Sequence, residues 1–162
     1  MRGDGALTIR PVEDKSAFLA VMLASWGSHS MMIDFTVYDC AELDLLGIAG
    51  KDGAFMAYAS WTMQGEVALL CALHSVAPGQ GAAVQLLEGV KVAARARGAV
   101  RLKAMLTNDN MPGMTFYQKC GFRFSRLHME AIDHFRSVVP SIVKTGYMDI
   151  EIHDALELEI AL

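Results

Sequence analysis

The stretch that decides the fold runs from Glu66 to Phe122 and begins with EVALLCALHSV, residues 66–76. The turn APGQGAA, residues 77–83, follows this apolar run and leads into an amphipathic segment. A strand that passes through a glycine turn into a helix aims free backbone N–H groups and the positive end of the helix dipole at one place. The sequence therefore predicts a strand–turn–helix unit that suits a phosphate group.

A second strand and a short helix complete this unit. Alternating apolar residues predict a strand over 100–107, and the segment NMPGMTFYQKCGF, residues 110–122, predicts a helix. Asn110 is a favoured residue for capping a helix N-terminus, and Gly121 suits the left-handed position after the last turn. We therefore expect a helix here that presents Tyr117.

The N-terminal half predicts a helix and an antiparallel meander. The predicted elements are a strand at 6–12, a helix at 13–26, and strands at 43–49, 54–63 and from 66 onward. Pro11 favours an edge position for the first strand, and Gly27 favours the end of the helix. Asp52-Gly53 is a favourable hairpin turn. Residues 28–42 carry no clear pattern.

The C-terminal half predicts a crossover helix and further strands. The predicted elements are a helix at 82–97, strands at 122–127 and 156–162, and a helical turn at 132–139 within the otherwise unclear segment 129–150. In the last strand leucine and isoleucine alternate with glutamate and alanine, which is typical of a half-buried strand. We expect one α/β (α+β) domain over residues 1–162, with helices on both faces of a mixed twisted sheet of about seven strands. The sheet should be antiparallel at first and parallel across the 82–98 crossover.

Bulk composition is that of a globular protein. The 162 residues are 53% hydrophobic and 20% charged, and the formal net charge is −4, which argues against a nucleic-acid binder. Three cysteines without a paired motif indicate a reducing compartment, with Cys71 a core residue in an apolar run. The sequence shows no signal-peptide pattern and no apolar run long enough to cross a membrane, so we expect a cytoplasmic protein.

Two segments resemble the GNAT superfamily of acyl-CoA-dependent N-acetyltransferases. That family has a turn of the form Gln/Arg-x-x-Gly-x-Gly/Ala, whose last two positions Gly81 and Ala83 match, although Pro78 stands where Gln or Arg is usual. The family also has an asparagine, a tyrosine seven residues later, and then Gly-Phe. The matching residues here are Asn110, Tyr117, Gly121 and Phe122.

The resemblance implies a site for acetyl-CoA, used as a co-substrate. The strands at 69–76 and 100–107 would part, so that the pantetheine arm adds to the open edge like another strand. The amides near Leu73 and Val76 would then hold pantetheine. Asn110 would be both the helix cap and a ligand. The expected diphosphate contacts are the amides of Gln80, Gly81, Ala82, Ala83 and Val84. The alternative is a glycine turn that binds no ligand.

Catalysis, by the same resemblance, needs an acid and a base. Tyr117 is the predicted acid for the departing thiolate, because a phenol has a comparable pKa, about 10. The alternative for Tyr117 is packing alone. Glu66 and His74 have even spacing on one strand, so both are candidate bases that could face the cleft, and proton transfer through water is a third option.

The implied reaction is the direct transfer of an acetyl group to a primary amine of a small molecule or peptide. The acceptor is not specified, although the negative charge favours a cationic one, and its contacts would come from residues 25–40 and 125–150. His128 and His134 do not have a recognised metal-ligand spacing, so no metal is expected. The terminal strand could support a homodimer by sheet-edge pairing. The alternative function is a non-catalytic CoA-sensing or protein-interaction domain on the same fold, and the meander disfavours a Rossmann-like domain.

Overall fold

The computed structural model describes residues 7–76 and 81–162. The strands are β1 (Thr8–Pro11), β2 (Ser30–Ile33), β3 (Thr36–Asp39), β4 (Asp44–Ala49), β5 (Phe55–Gln64), β6 (Val67–Ser75), β7 (Arg101–Thr107), β8 (Arg123–His128) and β9 (Ala155–Ala161). The helices are α1 (Ser16–Trp26), α2 (Ala82–Ala96), α3 (Met111–Lys119), α4 (Ala131–Val138) and a short 3-10 helix, Tyr147–Asp149.

Seven of these strands form one mixed sheet in the order β1-β4-β5-β6-β7-β9-β8. β1, β4, β5 and β6 pair antiparallel, which confirms the predicted meander, and β1 lies at the edge as Pro11 indicated. α2 carries the chain from β6 to a parallel β7, and β9 pairs antiparallel with both β7 and β8. The predicted mixed sheet is therefore confirmed.

The two faces of the sheet are covered by different helices. Leu86, Leu87 and Val90 of α2 are fully buried in the core cluster on one face. Phe18 and Met22 of α1 belong to a separate core cluster on the other face. Since successive strand residues point to opposite faces, the apolar central strands supply both clusters. The prediction of helices on both faces is confirmed.

The C-terminal strand β9 differs from its prediction in two ways. It lies between β7 and β8, so both of its edges are paired, and the predicted homodimer contact through this edge is wrong. Glu157, expected at a solvated face, is 2% exposed. Its carboxylate lies 2.9 Å from the Lys103 amine and 3.0 Å from His128 Nε2. Burial acts to raise the pKa of Glu157, but the bonds from Lys103 and His128 outweigh it and lower this pKa.

The two segments without a clear sequence pattern form small ordered units. Residues 28–42 contain the β2–β3 hairpin, whose turn places Asp34 and Phe35 at positive φ. Residues 129–150 contain α4 and the short 3-10 helix, and α4 packs through Phe135 into a third apolar cluster. Trp26 of α1 packs against the same third cluster, so the hairpin and α4 both lie beside α1.

Substitution of Gly27 tests the packing of the end of α1 against the backbone at Ser141. Its φ is +88°, and a Cβ there would overlap the backbone carbonyl oxygen of Ser141. We expect Gly27→Ala to lower the free energy of unfolding by about 2–4 kcal/mol, through left-handed strain plus steric overlap. Gly53→Ala is the matched control, because its φ is +80° with nothing within 4 Å. Gly53→Ala should lower the free energy of unfolding only by the left-handed strain, about 1–2 kcal/mol. Equal losses in urea unfolding would contradict this packing.

Candidate active site

The site begins where β6 and β7 part. Their parallel pairing extends only from Val67 opposite Arg101 to Leu70 opposite Ala104. Beyond this point β6 remains paired with β5 as far as Ser75, and β7 remains paired with β9 as far as Thr107. Each strand is therefore held on its outer side while a gap opens between them, as the sequence resemblance implied.

A β-bulge lies at the point where the strands part. The register between β5 and β6 shifts, so that Trp61 lies opposite Leu70 and Ser60 lies opposite Ala72, and Cys71 has no partner. A bulge bends its strand, which directs the end of β6 away from β7. The extra residue also inverts the alternation of side chains. The prediction that Glu66 and His74 share one face is therefore wrong.

Backbone groups of β6 face the gap. The Val76 N–H donates to the carbonyl oxygen of Met56, in the neighbouring strand β5, at 2.7 Å. Because N–H groups alternate sides along a strand, those of Leu73 and Ser75 point away from β5 and toward the gap. The Leu73 amide thus faces the gap, whereas the Val76 amide, also an expected pantetheine contact, is already engaged with β5. Ser75, which no sequence motif indicated, occupies the equivalent open position.

The N-terminus of α2 also opens to this gap. The first hydrogen bond of the helix runs from Gln85 N–H to the Gly81 carbonyl at 3.2 Å, so the amides of Ala82, Ala83 and Val84 have no helical acceptor. Gly81 precedes α2 with a φ of +71°, a left-handed conformation that glycine adopts readily. These three amides and the helix dipole suit an anion. Gln80, predicted to contribute as well, lies outside the described residues.

α3 brings Asn110 and Tyr117 to the same gap. The Asn110 side chain accepts a hydrogen bond from Gly113 N–H at 2.9 Å, which confirms the predicted cap. Tyr117 is 6% exposed and packs edge-on against Phe116 and Phe122. Burial, with a smaller effect from Cys120, raises the pKa of Tyr117 above its ordinary value. The phenol is thus protonated at neutral pH and is a weaker acid than an ordinary tyrosine.

The two candidate bases lie in different environments. His74 is half-buried near the end of β6, and burial lowers its pKa, so the ring is mainly neutral at pH 7 and can accept a proton. Glu66 is exposed in the turn before β6, at the other end of this strand. The structure brings His74 to the gap with Tyr117 but does not bring Glu66 there.

A cavity of about 760 Å³ occupies the gap between the strands. Its α2–α3 side is lined by Gly81, Ala82, Ala83, Val84, Asn110 and Tyr117, all of them predicted site residues. Its other side is lined by residues of α1, by Met31 of the hairpin, and by the segment 143–146. The predicted sources of acceptor contacts, 25–40 and 125–150, thus contribute to this side. Thr107 and Asp109 also line the cavity, and no sequence motif had indicated them.

Other kinds of site are not found in the described part of the chain. Within 7–76 and 81–162, no group of three or more His, Cys, Asp or Glu residues could hold a metal ion. None of the helices in the described part of the chain is long and apolar enough to cross a bilayer. His128, whose spacing from His134 did not indicate a metal site, contacts Glu157.

Comparisons with known proteins agree with this geometry. The Acetyltransferase (GNAT) family model matches residues 16–122. The chain is 33% identical over 133 residues to the uncharacterized protein YxbD of Bacillus subtilis (strain 168), covering 82% of this chain and 84% of that protein. Its fold is similar to an IAA acetyltransferase from Bacillus cereus ATCC 14579, with a TM-score of 0.73, 15% identity, and coverage of 97% and 100%. It is equally similar to a Bacillus subtilis acetyltransferase in complex with CoA, with a TM-score of 0.73, 16% identity, and coverage of 97% and 99%.

The fold is similar to that of known acetyltransferases. The family model covers well over half of the chain and includes α2, β7 and α3, the elements that surround the gap. The chain therefore belongs to the GNAT acetyltransferase family.

Proposed function

We propose that residues 1–162 form a single N-acetyltransferase domain that transfers an acetyl group from acetyl-CoA to a primary amine. The observation that carries this proposal is the divergence of β6 and β7 next to the free N-terminus of α2. An extended amide-containing arm needs an open strand edge, and a diphosphate needs unpaired N–H groups. Both features line one cavity in this protein.

The cofactor contacts follow from the directions of the backbone amides. The open N–H groups of Leu73 and Ser75 would hold the pantetheine arm, and the amides of Ala82, Ala83 and Val84 would hold the diphosphate. Gly81 and Gln80 remain proposed contacts of the same turn. Asn110 lines the cavity while it caps α3, so its amide nitrogen is a further proposed ligand. The CoA complex of a structural neighbour with the same fold supports CoA as the ligand.

The proposed chemistry is a direct displacement in which His74 and Tyr117 transfer the protons. His74, mainly neutral at pH 7, accepts the proton that the amine loses as its nitrogen bonds to the thioester carbon. An N–H group of β6 stabilises the negative charge that develops on the carbonyl oxygen. Tyr117 donates its proton to the sulfur as the carbon–sulfur bond breaks. Glu66 has no part in this proposal because it lies outside the cavity lining.

A covalent acyl-enzyme is not part of the proposal. Cys71 lines the cavity but is 3% exposed, and burial raises its pKa, so the thiolate that would act as a nucleophile is disfavoured. The amine therefore attacks the thioester itself.

A titration and an amine panel distinguish this enzyme from a non-catalytic CoA-binding or protein-interaction domain. We expect isothermal titration to detect acetyl-CoA binding, and free thiol to appear only when acetyl-CoA and an amine are both present. Acetyl-CoA binding without thiol release from any amine would favour the CoA-sensing alternative. If acetyl-CoA fails to bind at millimolar concentration, the proposal is wrong.

Substitution of Val84 tests the helix terminus as the diphosphate site. Val84 is 46% exposed in the first turn of α2. An acidic side chain at this position interacts favourably with the positive end of the helix dipole. Val84→Glu should therefore leave the free energy of unfolding unchanged or slightly higher. The same charge should repel the diphosphate and raise the Kd of CoA about tenfold or more, equivalent to about 1.4 kcal/mol. Val92→Glu, at a residue 64% exposed farther along α2, is the control that should bind CoA normally. Equal effects from both variants would contradict the site.

Removal of the phenol tests Tyr117 as the acid. Tyr117→Phe should lower kcat by about 10²-fold, the usual contribution of a positioned proton donor, with little change in CoA affinity. Because the raised pKa keeps Tyr117 protonated at neutral pH, the loss should be uniform across pH 6–8. An unchanged kcat would remove Tyr117 from the mechanism and leave it a packing role.

The pH dependence of kcat/KM tests His74 as the base. Only the neutral ring can accept a proton, and burial lowers the pKa of His74. Activity should therefore be retained above its ordinary pKa of about 6.5 and lost as the pH falls through a lower value. Rates are corrected for the free-base fraction of the amine. His74→Gln should lower kcat and abolish this acid limb, and a limb that survives in the variant would assign it to another group.

A further inference from the structure

We propose that Asp109 selects the acceptor, and that the acceptor class is an ammonium compound with a compact apolar body and no carboxylate beside its nitrogen. This inference rests on the proposed function and adds a specificity-determining residue to it. Three observations support the inference: the position of the Asp109 carboxylate, its lack of a cationic partner, and the apolar wall near it.

The Asp109 carboxylate lies at the cavity wall. Asp109 is 6% exposed, and its Oδ1 accepts a hydrogen bond from Thr107 Oγ1 at 2.5 Å while its Oδ2 accepts one from Tyr147 N–H at 2.9 Å. Thr107 and Gly146 both line the cavity. Gly146 approaches so closely that a Cβ at that residue would overlap Oδ2. The carboxylate is thus fixed between two residues of the cavity lining.

No cationic side chain compensates this carboxylate within the described residues. Among the described residues, Asp109 is the only acidic one that lines the cavity, and no lysine or arginine of this part of the chain lines it. None of the ion pairs found in 7–76 and 81–162 includes Asp109. By contrast, the buried carboxylate of Glu157 has both Lys103 and His128 beside it. A buried anion with two hydrogen bonds and no counter-ion is costly, and a cation entering the cavity would offset that cost.

The wall on the acceptor side is apolar. It is formed by Phe18, Met22, Trp26, Met31, Val143 and Ile152. Of the polar groups beside it, Ser25 Oγ already donates to the Val21 carbonyl, and the Thr107 hydroxyl donates to Asp109, while Thr145 also lines the cavity. This surface suits an aromatic or aliphatic body and offers little to a polyhydroxylated or polycationic acceptor. Methionine side chains adapt to such bodies.

Asp109 and His74 therefore have different roles in the same cavity. Asp109 attracts the protonated amine by charge and repels an acceptor that carries a carboxylate, as a free amino acid does. His74 then takes the proton that the nitrogen must lose. Asp109 is therefore a specificity residue.

The test compares three acceptors that share a phenyl ring. They are phenethylamine, which is a cation at pH 7.5, L-phenylalanine, which adds a carboxylate, and aniline, which is neutral at that pH. For the wild-type protein we expect kcat/KM for phenethylamine to exceed that for L-phenylalanine at least tenfold. This comparison needs no variant. Equal use of the two would overturn the inference.

Asp109→Asn then separates charge from structure. We expect kcat/KM for phenethylamine to fall at least tenfold, mainly through KM, while the value for aniline stays within twofold. Asp109 also holds the Tyr147 amide, and a merely structural role would lower the values for both acceptors alike. That result would overturn the inference. Glu42→Gln, which removes the same charge at an exposed residue outside the cavity lining, is the control and should change neither value.

Binding measurements keep the two proposals distinguishable. Trp26 lines the cavity, so its fluorescence can report phenethylamine binding to the CoA complex without turnover. Binding that is at least tenfold weaker in Asp109→Asn, in a protein that acetylates no amine, would support Asp109 and overturn the proposed enzyme. Turnover with an unchanged phenethylamine affinity in Asp109→Asn would support the enzyme and overturn the role of Asp109.

Discussion

The site depends on one constraint, namely that β6 and β7 pair for four residues and then part. The unpartnered Cys71 marks the point of divergence, and the outer partners β5 and β9 keep each strand extended on its own side of the gap. Parallel strands that remained paired would use the Leu73 and Ser75 amides within the sheet, and the cavity would be closed. The open edge, the cavity and the exposed N-terminus of α2 all follow from this divergence.

The gap joins two surfaces with different chemistry. Toward α2 and α3 it presents free amides and the positive end of a helix, which suit a diphosphate. Toward α1 it presents an apolar wall with one buried carboxylate, that of Asp109. His74 and Tyr117 lie along the cavity that connects the two surfaces.

Features with local causes could be predicted from the sequence. The bounds of α2, the Asn110 cap and the meander follow from periodicity, capping and turn residues within a few positions of each other. The bulge could not be predicted, because it depends on how β6 aligns with β5, and for that reason Glu66 and His74 were expected to share one face. The burial of Glu157 was missed because its partners Lys103 and His128 lie on two other strands. Asp109 was missed because its importance comes from the cavity around it.

Backbone hydrogen exchange of the free protein, followed by NMR, tests the divergence of β6 and β7 most directly. The N–H groups of His74 and Val76 should be protected, since the alternation of β6 turns both toward β5, while those of Leu73 and Ser75 should exchange rapidly. Addition of acetyl-CoA should slow exchange at Leu73 and Ser75. Strong protection of all four amides without ligand would mean that β6 and β7 are paired to their ends, and that result would contradict this account of the site.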